Sequence, residues 1–343
     1  MDIINNNSSR KGKVNLLQVA QKAGVSRSTA SLVLRKSPLV AFNTRKKVEA
    51  AMEELGYVYN RSAAILREGK TQIIGLLVCD IANPSISEVM VGLDCFLQKQ
   101  NYFSFLANSQ DSVERQSYLL QRFKEHNMDG LIFCPAINTP LTLLYELERL
   151  NMPYVQVLRR INEKKGDYVG ADYAQGIELA ILHLIRLNHR HIAFIGGSSK
   201  TSAGQERLES FIRIMKREHL STDYIIPTAL NVYEGAKGLD MLLERAPSVT
   251  AAICFNDLIA LGVMNALHAK GYIPGQDFSV IGVDDFPIAD SIWPALTTVS
   301  TRSQEVGEVA GRLLLRRIAN RALPLERVTL PTRLVIRQSC GAI

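Results

Sequence analysis

The chain has 343 residues and a net charge of +7, from 40 Lys and Arg against 33 Asp and Glu. Its length suits two or three structural units, and a hydrophobic fraction of 47% is enough for a sizeable core. No apolar run reaches the roughly 18 residues of a membrane span, and the polar residues 1–13 are not typical of a secretory signal. Five scattered cysteines without a CxxC or HExxH motif indicate reduced thiols, a cytoplasmic location and no metal or other cofactor.

The positive charge is concentrated at the start of the chain. Residues 1–70 contain 13 Lys and Arg against 5 Asp and Glu, whereas residues 71–343 contain 27 against 28. A basic face that only meets solvent is one interpretation of such a cluster, and phosphate binding is the other. Residues 1–13 are predicted to be a disordered basic arm.

Residues 14–35 predict two short helices joined by a tight turn. Apolar residues of the first helix recur at helical spacing, Gly24 can adopt the positive φ of a sharp turn, and Ser26 can cap the second helix. The second helix is predicted to turn cations and hydroxyls outward, with no acidic residue, at Arg27, Ser28, Ser31, Leu32 and Arg35. A third helix is predicted from about residue 43 to 55. A helical hairpin that only packs is the alternative, but the outward face favours a helix that enters the DNA major groove.

From residue 72 onward, strand-like and helix-like segments alternate. Uninterrupted apolar strands separated by helices predict parallel sheets covered on both faces, and their number favours two lobes. A short, marginal helix at residues 62–67 links these lobes to the basic N-terminal part. The predicted fold class is therefore α/β, with a helix-turn-helix headpiece in front of a two-lobed core.

The segments VAQKAGVSRSTASLVL and TRKKVEAAMEELGYVYNRSAAILREGKTQIIGLLV closely resemble the LacI/GalR family of bacterial transcription regulators. Matches continue through DIANP, DGLIF, HIAFIGG, FNDLIALGVMNAL, SVIGVDD, PALTTV and LPTRLVIRQS, so the resemblance covers nearly the whole chain. It implies a headpiece at 14–59, a hinge helix or linker at 60–71, and a core at 72–340 like the periplasmic sugar-binding proteins. One lobe is expected to comprise 72–161 and 291–322, and the other 162–290 and 323–340.

The resemblance also implies which residues contact DNA. Ser26, Thr29 and Ser31 match phosphate-contacting positions, and Arg35 adds a plausible phosphate contact. The base-reading positions are Arg27, Ser28 and Leu32, where an arginine suits guanine and a leucine suits a thymine methyl. In the hinge, the residues expected to approach the minor groove are Asn60, Ala63 and Leu66. Leu66 matches a wedge that opens a base step, and packing against the core is its alternative role.

A cleft between two lobes is a natural site for a small ligand. The polar residues expected there are Asp80, Asn83, Arg159, Arg207, Asn256 and Asp284. Such side chains suit sugar hydroxyls, whereas a helix cap or a salt bridge is the alternative role for each, and Arg160 competes with Arg159. Some relatives carry aromatics where this chain has Ser85 and Ile86, which disfavours a purine or aromatic effector.

The sequence therefore predicts a DNA-binding transcription regulator, and a repressor in particular. It is expected to bind a near-palindromic operator as a homodimer, under the control of a sugar-like effector, and not to contact a membrane. A binding protein for small-molecule transport is the strongest alternative, because the core fold is shared. An enzyme is disfavoured, because no GxSxG, GxGxxG or GxxxxGK[ST] motif occurs.

Overall fold

Three short helices form the N-terminal unit, which extends to Thr71, and a larger unit begins at Gln72. The computed structural model describes residues 14–58, 70–197 and 199–343. The helices are α1 (Leu16–Ala23), α2 (Arg27–Leu34) and α3 (Phe42–Leu55). The basic arm at 1–13 and the hinge residues Asn60, Ala63 and Leu66 lie outside the described residues, so their roles remain predictions.

The turn between α1 and α2 is built from local hydrogen bonds. Asn15 Oδ1 accepts from the backbone of Gln18, whose side chain accepts in return from the Asn15 amide, so the two residues form a capping box. Gly24 ends α1 with φ of +67°, and Ser26 Oγ caps α2 by accepting from the Thr29 amide. The structure thus confirms the turn and the cap that the sequence predicts.

Small apolar side chains hold the three headpiece helices together. Val19, Ala20, Ala30, Val33 and Val48 are buried in one cluster to which each helix contributes. Because alanines and valines meet at the crossings, the helices approach closely, and the outer surface of α2 stays available to a partner.

The larger unit contains two six-stranded sheets. Sheet 1 comprises β1 (Ile73–Val78), β2 (Phe103–Asn108), β3 (Gly130–Phe133), β4 (Tyr154–Val157), β5 (Asp167–Ala171) and β11 (Arg327–Leu330). Sheet 2 comprises β6 (Ile192–Ile195), β7 (Ile225–Ile226), β8 (Ala251–Cys254), β9 (Ser279–Asp284), β10 (Thr297–Ser300) and β12 (Arg333–Val335). Their strand orders are β11-β5-β4-β3-β1-β2 and β12-β10-β9-β8-β6-β7, and every pairing is parallel except that of β10 with β12.

Helices cover both faces of each sheet. Those of the first lobe are α4 (Pro84–Lys99), α5 (Val113–Glu125), α6 (Thr142–Arg149) and α11 (Ser303–Ala319). Those of the second lobe are α7 (Tyr173–Arg186), α8 (Ser202–Arg217), α9 (Val232–Arg245) and α10 (Asp257–Ala269), with a 3-10 turn at Pro287–Asp290. Successive residues of β1, such as Leu76 and Leu77, enter separate apolar clusters on opposite faces of the sheet, so the strand is a continuous apolar run in sequence.

The lobe boundaries differ from the expected ones at all three crossings. Strand β5 lies in sheet 1, so the chain leaves the first lobe after Ala171 and not near residue 161. Strand β10 lies in sheet 2, so the chain returns after Ser300 and not near 290. Strand β11 pairs with β5, so the last crossing follows Leu330 rather than residue 322.

A buried ion pair accounts for the position of β11. Arg317, near the end of α11, binds both carboxylate oxygens of Asp167 at 2.9 Å, and the Glu326 amide donates to the same carboxylate at 2.8 Å. The contact joins the start of β5 to the segment before β11, so both strands stay in the first lobe.

Among the described residues, the helices are too short or too polar for any of them to span a membrane.

Two glycines set the packing of α4 against α11. A Cβ on Gly92 would lie 1.8 Å from the Gln304 carbonyl oxygen, and one on Gly307 would lie 2.0 Å from that of Val89. Both distances are too short for any side chain, so the two helix backbones are in direct contact. This contact fixes α11, which follows the second crossing, on the first lobe.

Candidate DNA interface and ligand site

The outer surface of α2 carries the residues predicted to contact DNA. Ser26, Arg27, Ser28 and Arg35 are exposed, whereas the side chains of Thr29 and Ser31 are partly buried. Arg27 makes no ion pair with any residue that the structure describes in the headpiece, so its guanidinium is available to a ligand. Leu32 differs from the prediction, because it is partly buried and packs against the headpiece core.

Hydroxyl groups surround the start of α2. Ser26 Oγ lies 2.8 Å from Ser28 Oγ and 2.9 Å from Thr29 Oγ1. A helix N-terminus lined by hydroxyls suits a phosphate, because unpaired backbone amides and the helix dipole both favour negative charge. At the other end of α2, Arg35 folds back on Ser31, with its Nε donating to the Ser31 carbonyl at 3.3 Å.

In the core, Arg207 and Asp284 meet in one buried cluster. Arg207 lies on α8 and is 4% exposed, and its Nη2 is 3.3 Å from Asp284 Oδ1 at the end of β9. The guanidinium also stacks on two rings, 3.7 Å from the centroid of Tyr173 and 4.4 Å from that of Phe255. The sequence predicted Arg207 and Asp284 as separate cleft residues, and it predicted neither their ion pair nor the two rings. Phe255 directly precedes the candidate Asn256, so its position along the chain was the available signal.

Asp284 is held in an unfavourable environment. Burial raises the pKa of its carboxyl group, while the charge of Arg207 and the Thr301 hydroxyl act in the opposite direction. Its backbone has φ of +111°, and that of Asp285 has φ of +59°, which is rare for residues with a side chain. Strained backbone and a buried carboxylate at one position are typical of binding sites.

Two buried polar atoms of this cluster have no hydrogen-bond partner among the described residues. They are Arg207 Nε and Ser85 Oγ. Ser85 lies at the start of α4 in the first lobe, whereas Arg207 lies in the second. A ligand that donates and accepts hydrogen bonds, such as a polyol, could pair with both atoms.

A cavity of 580 Å³ opens in the second lobe next to this cluster. Phe255 belongs to both, and the cavity is also lined by Gly196, Gly197, Leu208 and Glu234. A Cβ on Gly197 would lie 2.0 Å from the Phe255 ring, so glycine is required for the ring to occupy this position. The volume is within the range of small-molecule sites.

Three other candidates serve local structure. Asn83 caps α4 by accepting from the Ser85 amide, and Asn256 caps α10 by accepting from the Ile259 amide at 3.1 Å. Asp80 is exposed and accepts from the Ala82 amide at 3.0 Å. For these residues the alternative role, a cap or turn contact, is present in the structure.

The ion pair of Arg159 lies within the first lobe. The Arg159 Nη1 is 2.6 Å from Asp111 Oδ1. Arg160 instead contacts the second lobe, since its amide donates to Ser202 Oγ at 2.9 Å and its guanidinium lies 3.4 Å from Glu206. The neighbour that the sequence left as a competitor is therefore the one that joins the lobes.

A helix-turn-helix headpiece followed by a two-lobed core with a polar site at the lobe junction defines a ligand-responsive DNA-binding protein. Residues 15–60 match the model described as bacterial regulatory proteins, lacI family, and residues 181–340 match a periplasmic binding protein-like domain. The chain is 33% identical to the HTH-type transcriptional repressor PurR of Aliivibrio fischeri over 308 residues, which cover 88% of this chain and 91% of that protein. The chain belongs to the LacI family of bacterial regulatory proteins.

Two solved structures support this assignment. The lac repressor dimer bound to operator and the anti-inducer ONPF is 26% identical, with a TM-score of 0.86 over 96% of this chain and 100% of that one. A LacI family transcriptional regulator from Enterococcus faecium with bound ribose is 28% identical, with a TM-score of 0.71 over 79% of this chain and 99% of that one. The predicted fold class and family are thus confirmed. The protein is a DNA-binding transcription regulator, and its relatives are regulators rather than enzymes.

Proposed function

We propose that this protein is a repressor that binds operator DNA as a homodimer and responds to a sugar-like ligand between its lobes. The observation that carries the proposal is that one chain contains both an exposed α2 surface without acidic residues and, separately, a buried polar cluster at Arg207 and Asp284. A protein that acts on chromosomal DNA would be cytoplasmic, which is the location the sequence predicts.

On DNA, α2 would lie in the major groove. Arg27 and Ser28 would read base edges, while Ser26, Thr29, Ser31 and Arg35 would contact phosphates. The partial burial of Leu32 leaves it room for a contact with a thymine methyl only at the edge of the headpiece core. Arg27 would carry most of the base discrimination, because an arginine can bind guanine O6 and N7 together.

In the cleft, Arg207 and Asp284 would bind adjacent hydroxyls of one ligand. A carboxylate accepts from two hydroxyls and a guanidinium donates to two, so the pair suits a vicinal diol. The Tyr173 and Phe255 rings would support the apolar face of a sugar, and the structural relative with bound ribose indicates a pentose as the first ligand to test. Asp80, Asn83, Arg159 and Asn256 would line the cleft without carrying this contact.

A second copy of the chain would complete the DNA-binding surface. Strand β2 is the edge of sheet 1, and Phe103, Phe105 and Leu106 on it are 60%, 53% and 40% exposed. An apolar edge strand of this kind is a liability for a monomer and suits a self-complementary contact. The dimeric assembly of the operator-bound relative supports the same partner. Two headpieces would then occupy successive major grooves of a near-palindromic site.

Selection of double-stranded sites from random DNA tests the proposal. The purified protein should enrich a near-palindromic sequence and bind it with an affinity that falls steeply as salt rises. A sugar should change that affinity by a coupling free energy of about 1–3 kcal/mol. Binding of sugar without any selective DNA binding would instead identify a binding protein for small-molecule transport.

A further inference from the structure

Two cysteines lie side by side at the ends of neighbouring strands in the first lobe. Cys79 follows β1 directly and Cys134 follows β3, and their sulfur atoms are 3.3 Å apart. Their side chains are 2% and 1% exposed, and both are free thiols. The two strands are paired with Leu77 opposite Phe133, so the cysteines are one residue out of register.

Ideal sheet geometry gives the two positions a Cα spacing that a disulfide can bridge. Neighbouring strands about 4.8 Å apart, with a rise of about 3.3 Å per residue, place residues one step out of register about 5.8 Å apart at Cα. Disulfides usually join Cα atoms within this range. Closing the sulfur–sulfur distance therefore needs side-chain rotation rather than movement of the sheet.

A cation lies beside the two thiols. The Arg159 guanidinium is held by Asp111 Oδ1 at 2.6 Å and by the Pro135 carbonyl at 3.4 Å. The hydrogen bond between the two thiols lowers the pKa of Cys134, burial opposes that shift, and the charge of Arg159 adds to it. Cys134 is thus the thiol of the pair that ionises more readily, and the thiolate is the nucleophilic form.

We propose that Cys79 and Cys134 form a peroxide-reactive dithiol site that closes into a disulfide. Hydrogen peroxide is the oxidant, because a small uncharged molecule suits a buried pair. The Cys134 thiolate attacks one peroxide oxygen, the O–O bond breaks, and the leaving hydroxide takes up a proton to become water. Cys79 then loses its proton and attacks the sulfenic sulfur, so the S–S bond forms and a second water leaves. Both sulfurs are oxidised and the peroxide is reduced to two waters.

The position of the pair links this chemistry to the lobe junction. Burial raises the pKa of the Tyr173 phenol in the second lobe, and the charge of a Cys134 thiolate adds a small further increase, which places Cys134 near this ring. Arg159, beside the thiols, precedes Arg160, whose amide is bonded to Ser202 across the junction. A disulfide would therefore form in the part of the first lobe that lies next to the second lobe.

The test is oxidation of the full-length protein in a Cys95→Ser background, which removes the exposed cysteine that could join two chains. Addition of peroxide should remove two of the four remaining thiols, lower the intact mass by two hydrogen atoms, and be reversed by dithiothreitol. Peptide mapping should place the bond between Cys79 and Cys134. Bond formation should proceed equally at high dilution, because both cysteines belong to one chain.

Two further variants keep the inference testable. In Cys95→Ser with Cys79→Ser, Cys134 has no resolving thiol, so its sulfenic acid should accumulate and react with dimedone. In Cys95→Ser with Cys134→Ser, no disulfide should form at Cys79, because its partner thiol is absent. Unmodified thiols at both positions, or oxidation confined to Cys254 and Cys340, would overturn the proposal.

Discussion

Arg207 combines three roles that single residues seldom share. It neutralises a buried carboxylate, it stacks on the rings of Tyr173 and Phe255, and it keeps one polar atom without a partner among the described residues. Burial of a guanidinium is destabilising unless its charge is paired and its N–H groups are hydrogen-bonded. An arginine held in this way, with Nε unpaired, is suited to a ligand that completes its hydrogen bonds.

Replacing Arg207 by lysine tests whether the positive charge alone, or the planar shape of the guanidinium, is needed for ligand binding. Arg207→Lys keeps the cation beside Asp284 but loses the planar stack and the two-pronged contact, so ligand affinity should fall at least about tenfold. Titration of the ligand against operator binding measures the change. The exposed Arg213→Lys on the same helix is the control. An unaltered ligand response in Arg207→Lys would remove this residue from the binding site.

Arg27 is expected to determine sequence preference rather than total affinity. Loss of one two-pronged base contact costs about 1–3 kcal/mol of discrimination, so Arg27→Ala should lower the ratio of operator to random-DNA affinity about tenfold or more. Arg35→Ala is the comparison, because loss of a phosphate contact weakens both DNAs alike and reduces the salt slope by about one. Competition binding at several salt concentrations distinguishes them, and parallel losses in both variants would contradict base reading by Arg27.

Asp257 predicts a pH dependence of stability. Burial raises the pKa of its carboxyl group well above the ordinary 3.8, although the Thr298 hydroxyl and the Phe286 amide act in the opposite direction. The folded state therefore binds this proton more tightly than the unfolded state. The resulting stabilisation is complete below the unfolded-state pKa and is lost as pH rises through the folded-state pKa.

Asp257→Asn should remove that slope. The free energy of unfolding, measured with urea from pH 4 to pH 7, should decline less with rising pH in the variant than in the wild type. The exposed Asp94→Asn should follow the wild type. Identical slopes in all three proteins would show that Asp257 does not titrate over this range.

At the scale of elements, the caps at the lobe junction explain why sequence alone gave two roles to the same residue. Asn256 is 1% exposed, and its Oδ1 caps α10, so its accepting oxygen is already in use. An asparagine after a strand and before a helix fits a cap and a ligand contact equally well in sequence. Only the position of its side chain distinguishes them, and position depends on contacts between distant segments.

Asn256→Ala should cost about 1 kcal/mol of stability through loss of the cap, and Asn256→Ser should restore most of it. Ser112→Ala, which removes the cap of α5 in the other lobe, should cost a similar amount. If the cap is the main role of Asn256, the serine variant keeps its ligand affinity. A large loss of affinity in a stable Asn256→Ser protein would assign the amide to ligand binding.

Apolar character located strands such as β3, β6 and β8, which are short apolar runs bounded by polar residues. It gave no comparable signal for β5 and β10, whose sequences DYVGA and TTVS include polar residues, so the lobe boundaries near them were misplaced. The polar loop before β5 resembled a connection between lobes, although it only turns within the first. At the ligand site the charged pair was predictable from the resemblance, whereas Tyr173 and Phe255 depend on packing around Arg207 that no local pattern encodes.

At the scale of the molecule, β2 should control self-association. Phe105→Arg places a charge on the exposed apolar edge, so the proposed dimer should dissociate and operator affinity should fall at least about a hundredfold, because two half-sites no longer bind together. Sedimentation across a concentration series measures the change. Leu325→Arg, at an exposed position elsewhere in the first lobe, should stay dimeric. A dimeric Phe105→Arg protein would place the contact on another surface.

The chain crosses between the lobes three times, and this limits how the molecule can be divided by proteolysis or truncation. A protease that cuts one connection leaves the halves covalently tethered through the other two. A gene truncated before codon 301 would lack α11 and β11, so part of one face of sheet 1 would be uncovered and β5 would become an unpaired edge strand. Neither lobe is encoded by one contiguous segment of the gene. Exchanging a lobe between homologues, to exchange ligand specificity, therefore requires a junction at each of the three crossings.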